Sequence, residues 1–303
     1  MITPRQVIIE TTTRCNLSCP GCYRERAEGN LGIDMSEEVF DSLIDEISSW
    51  DPKPEVIPFC HGEPTLDPSF LRRLGDLSSK GLRWKFCSNG TTEWGGWDSV
   101  LSSDFCESIL FSIDGWESKT IVEKRGLEGL RAPLQMQRLL KERARVGALK
   151  PWLGVRMRRT DQDFSEVEAF LRGWLEIGCD LVLVCRDVLQ EPRRVESHPT
   201  CYYLLGRTMV VDVHGEVHPC DRRVPTIGTA KAGTWLETFN RVADGFSMSV
   251  LCRSCPQRYC GEGIAGEIQF RSDPTGKPVF FREDQFQQIF SRTDVREGVS
   301  WRK

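Results

Sequence analysis

Residues 14–25, RCNLSCPGCYRE, set Cys15, Cys19 and Cys22 in a C-x3-C-x2-C spacing directly after a short apolar segment, Gln6 to Glu10. Three thiolates this close in sequence can wrap one metal cluster. Four close a tetrahedral zinc or iron–sulfur site, whereas three leave one metal corner open for a small-molecule ligand. Read on spacing alone, the same trio also suits a zinc site or three reduced structural thiols. The segment before it and the motifs after it weigh against that plainer reading.

Outward from this loop, strand and helix signals alternate. Asp34 and Ser36 offer N-caps for a helix with Val39, Phe40, Leu43, Ile44 and Ile47 on one face. Glu55 to Phe59 reads as a second strand, followed by the loop CHGEPTLDP. Asp67 then caps a helix with Pro68 at its first position and Phe70, Leu71, Leu74 and Leu77 as its buried stripe. Leu82 to Cys87 is a third strand, ending at the turn signal Ser88-Asn89-Gly90. Ser108 to Ile113 is a fourth, ending at Asp114-Gly115, and a helical stretch carrying Leu130, Leu134, Leu139 and Leu140 follows. Trp152 to Met157 and Asp180 to Cys185 are the fifth and sixth strands. Between them runs a helix, Ser165 to Ile177, with Val167, Phe170, Leu171 and Trp174 inward. Repeated strand–helix units predict an α/β fold with a parallel sheet and right-handed crossovers. Periodicity alone does not separate a barrel from a doubly wound sheet.

Beyond residue 190 cysteines become frequent and helices short. Thr208 to Val213, with His214-Gly215 and Glu216 to His218, reads as a β-hairpin in a separate small unit. The tail from about Phe280, FFREDQFQQIF, has some helical periodicity. The expected divisions are residues 1–190, 191–265 and 266–303, the last possibly a helical tail.

With 303 residues, 39% hydrophobic and 28% charged, the composition is that of an ordinary globular protein. A net charge of −4 gives no global pull toward nucleic acid or anionic membranes, although the run Arg156 to Arg159 forms a local basic patch. No run of 18 apolar residues occurs, and the first residues lack a signal-peptide pattern, so a cytoplasmic location is expected. Thirteen cysteines without a secretion signal point to metal binding or thiol chemistry more than to disulfides.

The cysteine spacing in the first strand-to-helix loop, with Gly62-Glu63-Pro64 after the second strand, resembles the radical S-adenosylmethionine (radical SAM) superfamily. That resemblance implies a partial (β/α)6 barrel and a [4Fe–4S] cluster on Cys15, Cys19 and Cys22. The cluster's open iron would chelate the amino and carboxylate groups of S-adenosyl-L-methionine. Ligands of parallel α/β folds gather at the carboxyl ends of strands. Gly62, Glu63 and Pro64 would accordingly lie along the methionine amino group, Gly62 letting backbone approach closely. His61 stands where a second glycine is more usual. Ser112 and Asp114 would hydrogen-bond ribose hydroxyls, or simply cap a strand end. Asn89 and Arg156 are candidates for ligand or methionine carboxylate, with a barrel-wall ion pair as the alternative for Arg156. Tyr23 would pack on the adenine or on the barrel rim.

A second group, Cys201, Cys220, Cys252, Cys255 and Cys260, resembles the SPASM/twitch extension of such enzymes, which holds auxiliary [4Fe–4S] clusters. Five cysteines instead of seven imply one auxiliary cluster. Cys201, Cys220, Cys252 and Cys255 match the twitch pattern, and Cys260 is an alternative ligand or a thiol near the active site. Four of these thiolates also suit a zinc ribbon. Of the remaining cysteines, Cys60, Cys87 and Cys185 fall at strand ends, where a thiol can donate a hydrogen atom to a substrate radical. Burial as small apolar side chains explains them, with Cys106 and Cys179, equally well.

The implied reaction is reductive cleavage of S-adenosylmethionine to a 5′-deoxyadenosyl radical, which abstracts hydrogen from an unactivated carbon. The implied electron donor is a flavodoxin or ferredoxin. With the first strand so near the first residue, no fused leader-peptide-binding domain is expected, although such a domain can be a separate chain. Peptide modification (oxidation, crosslinking or epimerisation) is nevertheless favoured over a small-molecule dehydrogenase or epimerase acting on a sugar or aminocyclitol. A zinc-containing binding module without enzymatic activity is the competing class.

Overall fold

Six short apolar segments form parallel strands: β1 (Gln6–Ile9), β2 (Glu55–Ile57), β3 (Trp84–Ser88), β4 (Cys106–Ser112), β5 (Trp152–Arg159) and β6 (Leu181–Arg186). The computed structural model describes residues 1–22, 31–186, 208–218, 220, 230, 232–246, 267–272 and 278–280. In the sheet, β1 to β6 lie side by side in their chain order, with no reversal. A doubly wound sheet has a switch point where the order reverses. Right-handed crossovers that never reverse put every connecting helix on one face and curl the sheet toward a barrel. The fold is therefore a partial parallel barrel.

The connecting helices are α1 (Glu37–Ser48), α2 (Phe70–Ser79), α3 (Trp97–Leu101), α4 (Ser118–Arg125), α5 (Arg131–Arg145) and α6 (Phe164–Ile177). Ser36 caps α1, accepting from the Val39 N–H at 3.2 Å, and Asp163 caps α6 in the same way. The strand faces differ. Val7, Ile9, Val56, Phe86, Ile109, Phe111, Leu153, Val155 and Met157 are fully buried among the core side chains. The opposite face carries the half-buried Cys87, Ser112, Arg156 and Arg158, and it looks into a cavity. Alternation along each strand thus separates a packed outer layer from a polar interior.

Several boundaries and faces differ from expectation. Helix α2 starts at Phe70 because Asp67 is spent on a turn, accepting from the Ser69 N–H at 2.9 Å. Its buried stripe is Phe70, Arg73, Leu74 and Leu77; Leu71 is 41% exposed. Arg73 displaces leucine because its guanidinium meets buried Asp67 at 3.5 Å and the Met35 carbonyl, and lies 4.9 Å over the Phe40 ring. Leu134 of α5 is likewise exposed.

The larger correction concerns the chain beyond residue 190. The expected hairpin exists as β7 (Thr208–Val211) and β8 (Val217–His218), but β7 pairs in parallel with β1 and joins the main sheet. Helix α7 (Trp235–Phe246) packs Trp235 against α1, with Glu46 of α1 accepting from the Trp235 and Leu236 N–H groups. Residues expected in a helical tail are strands: β9 (Glu267–Ser272) runs antiparallel to β6, and β10 (Pro278–Phe280) runs antiparallel to β9. The stretch after Phe280 lies outside the described residues. No helix among the described residues is long and apolar enough to cross a membrane.

Replacing Arg73 with alanine leaves Asp67 buried without its cation, and is expected to destabilise the fold by about 3 kcal/mol or more. Leu71→Ala should change stability by less than about 0.5 kcal/mol. Urea midpoints of the two variants check the reversal of faces.

Candidate active site

Cys15, Cys19 and Cys22 follow β1 and line one cavity together with Gly62, Glu63, Cys87, Asn89, Ser112, Asp114 and Arg156. The carboxyl ends of β1 to β5 all contribute. The cysteine loop is held at both sides. Residues 31–35 return beside it, with Thr13 N–H donating to the Ile33 carbonyl at 2.8 Å and Met35 N–H to the Thr11 carbonyl at 2.9 Å. Asp34 accepts from Thr12 Oγ1 and from Arg14 Nε.

Gly62 lies where the loop after β2 passes over the backbone after β1. A Cβ there would sit 2.8 Å from the Thr12 carbonyl carbon and 3.0 Å from the Arg14 carbonyl oxygen. Close approach is indeed why glycine is required, but to the cysteine loop. The next N–H, of Glu63, donates to the Arg14 carbonyl at 2.6 Å.

The Glu63 carboxylate is turned into the protein. It accepts from Asn89 N–H at 2.6 Å, Thr65 Oγ1 at 2.7 Å and Ser88 Oγ at 2.8 Å. Burial pushes its pKa up, and these donors pull it back. Pro64 opens a single 3-10 turn, Pro64–Leu66, capped by Glu63. Asn89 reaches back to the cysteine loop: its Nδ2 donates to Asn16 Oδ1 at 2.8 Å and lies 3.8 Å from Cys15 Sγ.

Asp114 is fully engaged by protein. One oxygen accepts from Arg125 at 2.7 Å and the other from Arg158 N–H at 2.6 Å. Ser112 lines the cavity on the same strand end. Two arginines absent from the expected set flank the cysteines. Arg125, at the end of α4, places Nη1 3.7 Å from Cys19 Sγ. Arg158 donates to the Pro20 and Gly21 carbonyls at 2.7 and 3.0 Å, closing the loop between Cys19 and Cys22. Burial pushes the Cys19 thiol up, and the Arg125 charge pulls it down. The basic run Arg156 to Arg159 thus turns part of itself inward. Nothing in local periodicity marks Arg125.

Of the remaining expectations, Cys60 and Cys87 line the cavity, Cys60 Sγ lying 3.6 Å from His61 Nδ1. Cys106 and Cys179 are buried apolar residues, and burial pushes both thiols up. Cys185 belongs to β6, in register with Arg158. Cys220 is half-buried just after β8. Tyr23, Cys201, Cys252, Cys255 and Cys260 lie outside the described residues.

Three thiols around one cavity, with an amide and a guanidinium beside their sulfurs, suit a thiolate-held cluster with an open corner. Hydrogen bonds to ligating sulfurs are how a protein tunes such a centre. A partial parallel barrel with this centre at its strand ends is the arrangement that the resemblance to radical SAM enzymes leads one to expect. Residues 9–142 match the Radical SAM superfamily. That match implies a [4Fe–4S] cluster and S-adenosylmethionine as cofactors.

The chain is 28% identical over 196 residues to the tungsten-containing aldehyde ferredoxin oxidoreductase cofactor-modifying protein of Pyrococcus furiosus, covering 64% of this chain and 54% of that protein. It is 33% identical over 85 residues to the Fe-coproporphyrin III synthase of Methanosarcina barkeri, covering 28% of this chain and 21% of that protein. The chain thus spans about half the length of the first relative and a fifth of the second. Among solved structures it is similar to Streptococcus suis SuiB bound to precursor peptide SuiA, with a TM-score of 0.63 at 14% identity over 86% of this chain and 72% of that one. At that identity the likeness is one of fold.

Gly62→Ala puts carbon against backbone carbonyls, which no rotamer change relieves. The variant is expected to retain less than about a tenth of the wild-type iron on Cys15, Cys19 and Cys22 after reconstitution. Gly75→Ala, with open space around its Cβ in α2, should keep full iron content. Iron assays on the two proteins compare the positions.

Proposed function

We propose that the protein cleaves S-adenosylmethionine reductively and uses the resulting 5′-deoxyadenosyl radical to remove hydrogen from an unactivated substrate carbon. That chemistry belongs to the bound cluster and cofactor. The observation that carries the reading is the meeting of three thiols and the Gly62–Glu63 loop at one cavity, five strand ends converging on it. The chain's own part is positioning. Arg158 and Asn89 fix the cysteine loop, and Arg125 offsets thiolate charge at Cys19. The Glu63 carboxylate is used up by Asn89, Ser88 and Thr65, so the loop's backbone carbonyls remain to accept from a ligand ammonium. Ser112 and Arg156 are the side chains offered to the rest of the cofactor.

An auxiliary [4Fe–4S] cluster on Cys201, Cys220, Cys252 and Cys255, with Cys260 as the fifth thiol, completes the reading. A flavodoxin or ferredoxin supplies the electron. The substrate we put first is a peptide side chain or backbone carbon, modified in a maturation reaction, as the peptide bound to SuiB suggests. A second reading, modification of a small cofactor, is favoured by the names of the two sequence relatives.

After anaerobic reconstitution the wild type should hold about eight irons per chain, and the Cys15/Cys19/Cys22→Ala variant about four. With dithionite and S-adenosylmethionine only the wild type should release 5′-deoxyadenosine. Zinc without iron, or 5′-deoxyadenosine from the triple variant, would sink the proposal.

A further inference from the structure

We propose that Glu10, Cys60 and His61 hold a divalent metal ion of the zinc class in the cavity wall, apart from the three-cysteine centre. Glu10 immediately follows β1, whose neighbours in the sheet are β2 and β7, and its side chain is 1% exposed. Cys60 and His61 follow β2, the neighbouring strand, and line the cavity. Strand pairing therefore brings an oxygen, a sulfur and a nitrogen donor to one point. All three donor atoms lie within 4.8 Å of one another.

Two of the three donor spacings match the edges of a tetrahedral ion, and the third, between Glu10 and Cys60, lies within 4.8 Å. Metal bonds of about 2.0–2.3 Å make tetrahedral edges of about 3.3–3.6 Å. His61 Nδ1 lies 3.3 Å from Glu10 Oε1, and Cys60 Sγ lies 3.6 Å from His61 Nδ1. The charge also fits. One carboxylate and one thiolate neutralise a dication. Mixed sulfur, nitrogen and oxygen ligands suit zinc or cobalt over magnesium or calcium.

Three protein ligands leave the fourth position open, the arrangement of catalytic and substrate-binding zinc sites. Cys60 and His61 face the cavity, so that position is available to an anionic oxygen of a substrate, such as a carboxylate or hydroxyl. The ion would hold the substrate in the cavity that the cysteine trio lines, without taking part in electron transfer. The test starts from the cluster-filled chain of the proposed function, and reading zinc apart from iron keeps failure of this inference distinct from failure of that reading.

The test uses the full chain with its iron–sulfur cysteines first filled anaerobically, so that zinc cannot occupy them. Zinc is then added, excess is removed, and iron and zinc are counted together. The wild type is expected to retain about one zinc per chain through these three ligands. Cys60→Ser and His61→Ala should lose at least about nine-tenths of it with iron unchanged, and Glu10→Gln most of it. Cobalt should give a thiolate charge-transfer band in the wild type and none in Cys60→Ser. Unchanged iron and circular dichroism report that each variant folds. Zinc retained equally by Cys60→Ser and His61→Ala would overturn the proposal, since the trio would then be only a hydrogen-bonded cluster. So would a wild type that keeps no zinc.

Discussion

The site depends on one contact of backbone with backbone, the passage of Gly62 over the carbonyls of Thr12 and Arg14. It locks the loop after β2 onto the loop that carries the cysteines. From there a circuit of hydrogen bonds closes on itself. Glu63 N–H holds the Arg14 carbonyl, the Glu63 carboxylate holds Asn89, and Asn89 returns to Asn16 beside Cys15. Three strand ends are thereby fixed relative to one another before any ligand arrives. A circuit of buried, satisfied polar groups is rigid because opening any member leaves its partner unpaired away from water.

The far side of the cysteine loop is fixed by charge. Arg158 forks onto two loop carbonyls, and Arg125 sits between Asp114 and Cys19. A negatively charged cluster in a low-dielectric pocket gains from such a cation, and its anchor Asp114 keeps that cation in place. This assigns Asp114 a supporting part: both carboxylate oxygens are occupied by protein, so it acts through Arg125 and the Arg158 backbone.

The sheet connects this site to the remainder of the chain. On one side β7 lies beside β1, and on the other β9 lies beside β6. Cys220 therefore leaves the same sheet as the cysteine trio, through β8. Helix α7 strengthens that attachment, with Glu46 capping its first N–H groups and Trp235 buried against α1. Cys220 thus stands on the barrel's own framework.

Read alone, the sequence determined the six strands, most of the helices between them, the order of the units and the cysteine loop. These are written locally, in hydrophobic period, in capping residues such as Ser36, and in cysteine spacing. It also marked Asn89 and Asp114, as polar residues at strand ends, and Gly62 and Glu63, through the resemblance of Gly62-Glu63-Pro64 to a family motif. Only the tertiary structure decided what those residues touch. Arg125 reaches Cys19 across 106 positions and Arg158 reaches Pro20 across 138. Arg73 replaces Leu71 in the core for the same reason: its partners Asp67, Met35 and Phe40 come from other elements. Likewise β9 is a strand because β6 offers an open edge, which tail periodicity does not record. Period and spacing are properties of neighbours along the chain; pairing and charge compensation belong to neighbours in space.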